Sequence, residues 1–338
     1  MSSGPVLAAA GPGQAAIQDG AFRSGGRGTA PATGHSRAPA TMIVVSSRGH
    51  RSLFGRPVRV TATVAARPLR TGARPVSPRH GTVTFYLCAR PSRLPPGSAM
   101  SACLTLVPLN SALPINRQGR AHLAVPGLPG GPHPVFASFR PADPAAYAAS
   151  VSPSVTRVVT FSGPCLTTTL SGRYRVTRGQ SLCVRRPARV TGTLTVGPGG
   201  ALSVTGAVIR GAVTATRAMG LRICRTAVTG RVSVRSARGF VEIGAGGALP
   251  CGGNTIGSRL SLRRNHRGFA VVGNRIGQAL ALSRNSGDGP FWLPAAGRIS
   301  GNRIDLARAC GRKHPAPAGR RTRHRPARRT GPCAPLAS

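Results

Sequence analysis

The sequence predicts an all-β protein in which a β-sandwich is followed by a short parallel β-solenoid. Three observations predict this fold. The 338 residues include 45 Gly and 31 Pro, whereas only 4% are aromatic, a composition that favours many short strands over helical cores. The first half alternates apolar and polar residues, and the second half repeats short phrases at one period. No apolar run approaches the roughly 20 residues of a membrane span.

The chain is long enough for two domains, and its composition divides it into four segments. We expect a disordered leader at 1–40, the sandwich at 41–161, the solenoid at 162–310 and an Arg-rich loop closed by a disulfide at 311–338. The leader is rich in Gly, Ala, Pro and Ser and has no periodicity. Its first residues lack the basic and apolar regions of a signal peptide, so an extracellular protein would require a start upstream of Met1.

Strict alternation identifies the strands of the predicted sandwich. In "RPVRVTATV" (56–64) and "GTVTFYL" (81–87) every second residue is apolar, which is typical of half-buried strands. The segments "AHLAV" (121–125), "PVFASF" (134–139) and "SVTRVVT" (154–160) continue the series. Together with "TMIVVSS" they give about six or seven strands, a number typical of sandwiches.

In this order the strands resemble the bacterial Ig-like repeat domains of secreted and surface proteins. The resemblance covers the whole segment and rests on "SSRGHRSLFGRPVRVTATV", "GTVTFY" and "GGPHPVFASFRPADPAAYAASVSPSV". It implies a spacer or binding module without catalysis. The insertion after "GTVTFY" departs from the pattern, and we interpret it as a hairpin closed by a disulfide.

The eight cysteines fall into four sequential pairs and show neither a C-x-x-C motif nor a nearby pair of histidines. This pattern favours disulfides formed in an oxidising compartment over a zinc site, a redox motif or buried thiols. We expect the second pair to close a short hairpin-like stretch and the third to tie an insertion to the solenoid. The predicted pairs are Cys88–Cys103, Cys165–Cys183, Cys224–Cys251 and Cys310–Cys333.

Six phrases recur in the second half of the chain. "VTGTLTV", "IRGAVTA" and "VTGRVSV" begin at 190, 209 and 228 and are therefore equally spaced. "IGSRLSL", "IGQALAL" and "IDLARAC" begin at 256, 276 and 304, with insertions in the two longer steps. An underlying period of about 19 to 20 residues, with glycines at the turns, predicts a parallel β-solenoid in which each repeat forms one turn.

Asparagines recur at the same period. The spacing from Asn254 to Asn274 equals the spacing from Asn265 to Asn285. Because stacked strands lie ~4.8 Å apart, each pair would stand one above the other, and we expect two columns whose amides hydrogen-bond as ladders. Asn302 extends the first column if the intervening insertion loops out.

From "CLTTTLSGRYRVTRGQSLCV" to "GPCAPL" the chain is similar to β-solenoid or right-handed β-helix domains of uncharacterised secreted actinobacterial proteins. The phrases "VTG.L.V" and "GN.I.G" carry this resemblance. It implies the architecture and an extracellular or cell-surface location, and it brings no known active site. The repeat itself does not determine the handedness of the solenoid.

The chain carries 47 basic and 5 acidic residues and a net charge of +42. Attraction to polyanions is one explanation, and GC-rich codon usage is another, which the even spread of arginines along the chain favours. The densest cluster lies in the C-terminal loop and is either the polyanion-binding site or a solvated loop. Its members are Arg320, Arg321, Arg323, Arg325, Arg328 and Arg329.

Catalytic residues are not expected. Glycoside hydrolysis needs two facing carboxylates, and the solenoid offers only Glu242, Asp288 and Asp305, none of which shares a column with another. Too few acids are present for a calcium site, and no metal or other cofactor is expected.

We therefore expect a secreted or cell-surface binding protein for an anionic glycan or cell-wall polymer. The alternative is a β-helix carbohydrate-active enzyme, either a polysaccharide lyase or a hydrolase. Binding of nucleic acid is disfavoured, because no aromatic residues are interleaved with the arginines.

Overall fold

The computed structural model describes residues 40–46, 49–66, 77–90, 94–95, 97–244, 249, 251–287, 298–300 and 302–304. Within these ranges the chain forms β-strands, one short 3-10 helix (Met100–Ala102) and no α-helix, so the all-β prediction is confirmed. All of these residues belong to one compact unit, Ala38–Ser338. The expected C-terminal loop and, apart from Ala40, the expected leader lie outside the described residues, and the predicted domain boundaries stay a prediction.

The strands before residue 161 form two sheets, which we call the two-sheet part. Sheet I has the order β1-β3-β7, and sheet II has the order β2-β10-β8-β4-β5, with β6 also on β4 and β9 on β8. All pairs are antiparallel except β2 with β10. The strands are β1 (Thr41–Ser46), β2 (Arg51–Leu53), β3 (Val58–Ala66), β4 (Gly81–Cys88), β5 (Leu106–Pro108), β6 (Leu113–Pro114), β7 (Arg120–Val125), β8 (Gly131–Pro141), β9 (Ser150–Val151) and β10 (Val155–Thr160).

Side chains from both sheets share one apolar core. The alternating residues of β3 and β4 are buried, including Val60 and Phe85, and Phe139 of β8 packs with them. The segment has more strands than the six or seven expected, because β2, β5, β6 and β9 have only two or three residues each. Strands this short are too brief to show an alternating pattern.

The strands after residue 168 form the solenoid, in which three parallel sheets run side by side for about six turns. Sheet III is β11-β14-β17-β20-β23-β26-β29, sheet IV is β12-β15-β18-β21-β24-β27, and sheet V is β13-β16-β19-β22-β25-β28. The strands are β11 (Thr169–Ser171), β12 (Tyr174–Val176), β13 (Ser181–Arg185), β14 (Arg189–Thr191), β15 (Leu194–Val196), β16 (Ala201–Thr205), β17 (Val208–Arg210), β18 (Val213–Thr216), β19 (Gly220–Cys224), β20 (Ala227–Val228), β21 (Val232–Arg235), β22 (Val241–Ile243), β23 (Thr255–Ile256), β24 (Leu260–Arg263), β25 (Phe269–Val272), β26 (Arg275–Ile276), β27 (Leu280–Ser283), β28 (Arg298–Ser300) and β29 (Arg303–Ile304).

The six repeated phrases of the sequence stand in register along sheet III. Their first residues pair in sequence order, and the two insertions leave this register intact. The column consists of Val190, Ile209, Val228, Ile256, Ile276 and Ile304. The predicted parallel solenoid is therefore confirmed.

The stretch between Cys165 and Cys183 is not the hairpin-like element that the sequence predicts. It contains β11 and β12, which pair in parallel with β14 and β15 of the next turn. The stretch is therefore the first turn of the solenoid, and the disulfide joins the segment entering that turn to β13. Leu170 and Val176 of this turn pair with Val190 and Val196 of the second turn. Antiparallel pairing within the stretch would leave the apolar residues of the second turn uncovered.

Glycine in the "TG" and "RG" phrases is required by the close stacking of turns. A Cβ on Gly192 would lie 1.9 Å from the carbonyl oxygen of Gly172, and one on Gly211 would lie 1.9 Å from that of Gly192. Gly192 also has a φ of +145°. The backbones of successive turns therefore meet at this corner without room for a side chain.

Sheet V faces the two-sheet part. Its outward residues Ala201 and Ala270 belong to the same buried cluster as Val60 and Phe85. Sheet V is buried on both faces, whereas sheet IV is buried on its inner face and open on its outer face. Packing against the two-sheet part therefore covers the outer face of sheet V and leaves the outer face of sheet IV available to a ligand.

Candidate functional site

The outer face of sheet IV carries a column of hydroxyl groups. Thr195, Thr214, Ser233 and Ser261 occupy equivalent positions on four successive turns, each flanked by buried apolar residues. Oγ1 of Thr214 donates a hydrogen bond to Oγ1 of Thr195 at 3.3 Å. Because neighbouring strands lie ~4.8 Å apart, the column presents a polar group at each of these turns along the solenoid axis.

Arginines flank this column on both sides. Arg231 and Arg259 precede β21 and β24 on neighbouring turns, where the backbone N–H of Val232 donates to the carbonyl of Arg259 at 2.9 Å. On the other side, Arg263 ends β24 and Arg284 follows β27 at a corner where its φ is +53°. The period that stacks the core thus also places Arg231 and Arg259 at equivalent positions of neighbouring turns.

These side chains enclose a shallow depression of about 500 Å³, which we call the basic groove. No aromatic ring and no carboxylate lines it. Within the described residues, none of its four guanidinium groups has a hydrogen-bond or ion-pair partner. The groove is lined by Thr214, Arg231, Val232, Ser233, Arg259, Ser261, Arg263, Ala281, Ser283 and Arg284.

The chemistry of the groove is that of an anion receptor. A guanidinium donates two parallel hydrogen bonds to a carboxylate, sulfate or phosphate group. The hydroxyl groups both donate and accept, and thus match the hydroxyls of a sugar ring. Since charges and hydroxyls are arrayed along the solenoid axis, the groove suits an extended anionic chain better than a single small ion.

The arginines that the sequence singles out lie elsewhere. Arg320, Arg321, Arg323, Arg325, Arg328 and Arg329 all fall outside the described residues. The groove arginines were missed, although the sequence holds a signal for them: "RVSVR" (231–235) and "RLSLR" (259–263) occupy equivalent positions in successive repeats and share the same outward residues. Alternation within each phrase and the repeat period together predict two rows of arginine beside one of serine.

Glu242, the carboxylate considered for catalysis, is buried at the junction, by which we mean the contact between sheet V and the two-sheet part. It lies on β22 with 1% of its surface exposed, and its Oε2 accepts a hydrogen bond from Nε of Arg222 on β19 at 2.6 Å. Burial raises the pKa of the Glu242 carboxyl, and the charge and hydrogen bond of Arg222 oppose that rise. The pair is thus enclosed on sheet V and does not line the basic groove on sheet IV. Asp288 and Asp305 lie outside the described residues.

A buried histidine lies near the same pair. His133 on β8 is 6% exposed, and its Nε2 is 2.7 Å from the carbonyl oxygen of Pro129. Burial lowers the pKa of His133, and the charge of Arg222 lowers it further, whereas the bond to Pro129 raises it. His133 and Arg222 therefore bring titratable groups from both parts of the protein to the junction.

Three of the four predicted disulfides are present: Cys88–Cys103, Cys165–Cys183 and Cys224–Cys251. Cys310 and Cys333 lie outside the described residues. Ligand atoms of Cys224, Cys251 and Glu242 lie within 4.8 Å of one another. Because the two sulfurs are bonded to each other, this cluster offers a metal ion no thiolate, which is the form of cysteine that binds metals.

The asparagines form two hydrogen-bonded columns. Nδ2 of Asn254 donates to Oδ1 of Asn274 at 2.8 Å, and Nδ2 of Asn274 donates to Oδ1 of Asn302 at 2.9 Å. In the other column Nδ2 of Asn265 donates to Oδ1 of Asn285 at 2.8 Å. These amides also bond to backbone groups of adjacent turns, so they cross-link the corners of the solenoid.

In the part of the chain that the structure describes, no helix has the length and apolarity needed to cross a membrane. Comparison of the whole chain with family models, curated proteins and solved structures finds no match in any of the three.

Proposed function

We propose that this is a secreted or cell-surface binding protein without catalytic activity, whose solenoid holds an anionic glycan or cell-wall polymer in the basic groove. One observation carries the proposal. Four arginines without anionic partners among the described residues line one groove beside a column of hydroxyl groups. Guanidinium groups in such a row gain most from a ligand that carries its own row of anions.

A glycan or wall polymer is favoured over nucleic acid by the composition of the groove. Single strands are held without sequence preference by stacking of bases on aromatic side chains, and no aromatic side chain lines this groove. Sugar hydroxyls instead find partners in Ser233 and Ser261, which line the groove together with its arginines.

The positions of the described carboxylates support a non-enzymatic role. Glu242 is enclosed and paired with Arg222. Asp143 lies in the two-sheet part, where its Oδ1 accepts hydrogen bonds from the backbone N–H groups of Ala145 and Ala146. Neither carboxylate lines the groove, where hydrolysis of a bound glycan would require a pair of them.

The disulfides support secretion, since such bonds persist in oxidising compartments. We further infer that the two-sheet part is an Ig-like module that acts as a spacer or second binding surface. Two mainly antiparallel sheets with one shared core support this inference.

The proposal is tested by retention of the full chain on purified anionic wall polymers and acidic polysaccharides. We expect R231Q/R259Q to be retained more weakly than the wild type. A matched control is R189Q/R210Q, which removes the same charge from exposed positions on sheet III. Equal loss in both variants would show that net charge alone is responsible and would reject the groove. Turnover of a polysaccharide that E242Q abolishes would instead establish an enzyme.

A further inference from the structure

A second cationic site lies where the two-sheet part meets the solenoid. Here a cavity of about 730 Å³, which we call the junction pocket, is lined by Arg56 and Arg59 on one side and by Arg178 and Arg238 on the other. The volume is within the range of pockets that hold small molecules, roughly 300 to 1,000 Å³. The pocket shares no residue with the basic groove.

Packing fixes the two walls of the junction pocket against each other. The turn after β2 brings Phe54 into the apolar core, and its ring centroid lies 5.3 Å from that of Phe161. The next residue, Gly55, touches the solenoid so closely that a Cβ there would lie 2.7 Å from Cβ of Ala201. Arg56 therefore follows a point of close contact, and its position relative to the solenoid is set by the fold.

The positive charge of the junction pocket is not balanced by an anionic group of the described residues. None of its four guanidinium groups has a hydrogen-bond or ion-pair partner within the described residues. Arg56 and Arg59 come from one loop and strand, whereas Arg178 and Arg238 come from turns in different parts of the solenoid. Like charges that converge from separate segments repel each other unless an anion lies between them.

A fifth side chain adds a donor to the same cavity. Oε1 of Gln180 accepts hydrogen bonds from the backbone N–H and the hydroxyl of Thr177, at 2.9 Å and 2.8 Å. These bonds occupy the acceptor of the amide and leave its NH₂ group as a donor. Around this set of donors, Leu53 and Met219 supply apolar wall.

We propose that the junction pocket binds a small, multiply charged oxyanion, carrying at least two phosphate or carboxylate groups, that bridges Arg56 and Arg59 of the two-sheet part to Arg178 and Arg238 of the solenoid. Paired N–H donors on each guanidinium fit the oxygens of either group. Four arginines grouped around a cavity favour a compact ligand, in contrast to the rows of the basic groove. Occupancy joins the two parts of the protein and therefore stabilises the folded chain increasingly as ligand concentration rises.

The test is calorimetric titration of the full chain with sodium tripolyphosphate, citrate and inorganic phosphate at constant ionic strength. We expect saturable binding of one tripolyphosphate or citrate per chain, and much weaker binding of inorganic phosphate. The stronger of the two multivalent ligands identifies the phosphate or the carboxylate class. In R56Q/R178Q the affinity should fall about tenfold or more, and R238Q should also weaken binding.

The sheet III variant R189Q/R210Q is the matched control, because it removes the same charge and leaves both the junction pocket and the basic groove intact. It should bind tripolyphosphate as the wild type does. Because all five substituted arginines are exposed, the variants are expected to fold, and circular dichroism checks this. The proposal is overturned by non-saturable binding, or by equal weakening in R56Q/R178Q and R189Q/R210Q. Neither result bears on retention of polymers by the basic groove.

Discussion

Asn254 and Asn274 stand one turn apart, and Oδ1 of Asn274 accepts hydrogen bonds from both Nδ2 and the backbone N–H of Asn254, at 2.8 Å and 3.1 Å. Both side chains are almost fully buried. At this corner Nδ2 of Asn254 also donates to the carbonyl of Ile223, and Nδ2 of Asn274 donates to the carbonyl of Ile243. The polar columns are therefore part of the structural framework, and the candidate binding chemistry lies on the surface.

Replacement of Asn274 by alanine should strongly destabilise the solenoid. Its side chain bonds to Asn254, to the carbonyl of Ile243 and to Asn302, and each buried polar group left without a partner costs about 1 to 3 kcal/mol. We expect a loss of about 3 kcal/mol or more, measured by urea denaturation. Thr255→Ala, at an exposed position beside the column, should change the midpoint little. Similar midpoints for the two variants would contradict a structural role of the column.

Removal of Arg222 should destabilise the junction more than removal of an exposed arginine from the same sheet. Arg222→Ala leaves the Glu242 carboxyl buried without its cation, and breaking a buried ion pair in this way costs about 3 to 5 kcal/mol. Arg185→Ala, at the exposed end of β13, is the control. Chemical denaturation of both variants makes the comparison, and equal effects would mean that the pair is solvated in solution.

Stability should depend on pH through His133. Burial lowers the pKa of His133 from its ordinary value of 6.5, so the unfolded chain binds a proton more readily than the folded chain. The contribution of neutral, buried His133 to the stability of the folded chain is complete above pH 6.5. It is lost as the pH falls below 6.5 and through the lowered pKa of the folded chain. Glu242 acts in the opposite direction, because its pKa is raised from 4.5.

Comparison of the wild type with His133→Gln separates the contribution of His133 to the pH dependence from that of Glu242. The glutamine keeps a hydrogen-bond donor for the carbonyl of Pro129. The free energy of unfolding of each should be measured between pH 5 and pH 8. The difference between them should change with pH below about 6.5. A difference that is constant over this range would show that His133 titrates normally.

Loss of the disulfide between Cys224 and Cys251 should lower stability by about 2 to 4 kcal/mol. It links cysteines with a sequence separation of 27 and is buried. The variant C224S/C251S should denature at lower urea concentration than the wild type in non-reducing buffer, and the two midpoints should converge when a dithiol is added to both.

Peptide mapping without reduction would also test the predicted Cys310–Cys333 pair, which free thiols at these two positions would reject.

Binding of an anionic polymer should weaken with salt, and less steeply in the groove variant. Each phosphate-type contact releases about 0.7 to 0.9 counterions from a highly charged polymer. The slope of log K against log salt should therefore fall by about 1 to 2 in R231Q/R259Q. R189Q/R210Q should keep the wild-type slope. Affinity that does not change with salt would exclude a charge-driven ligand.

Much of the solenoid could be predicted from the sequence, because stacking imposes a repeat that the sequence must obey. The phrases that begin at Val190 and Ile209 occupy equivalent positions, and Asn265 and Asn285 hydrogen-bond one turn apart. A hairpin is the wrong prediction for the first turn, because "LSGRYRV" (170–176) precedes "VTGTLTV" (190–196) by one repeat period. In that terminal turn Tyr174 stands opposite Leu194, and Arg175 stands opposite Thr195, so its phrase matches the others only in outline.

The sequence by itself determined the all-β class, the length of each turn, and which residues of a strand point inward. It could not determine which outer face would be covered. Arg222 on sheet V and Arg259 beside sheet IV occupy similar outward positions, yet Arg222 is 7% exposed and Arg259 lines an open groove. Alternation along a strand separates core from surface, whereas contact between distant segments such as Gly55 and Ala201 decides which surface remains. That choice belongs to tertiary packing, because it depends on complementary shape between segments that no local period encodes.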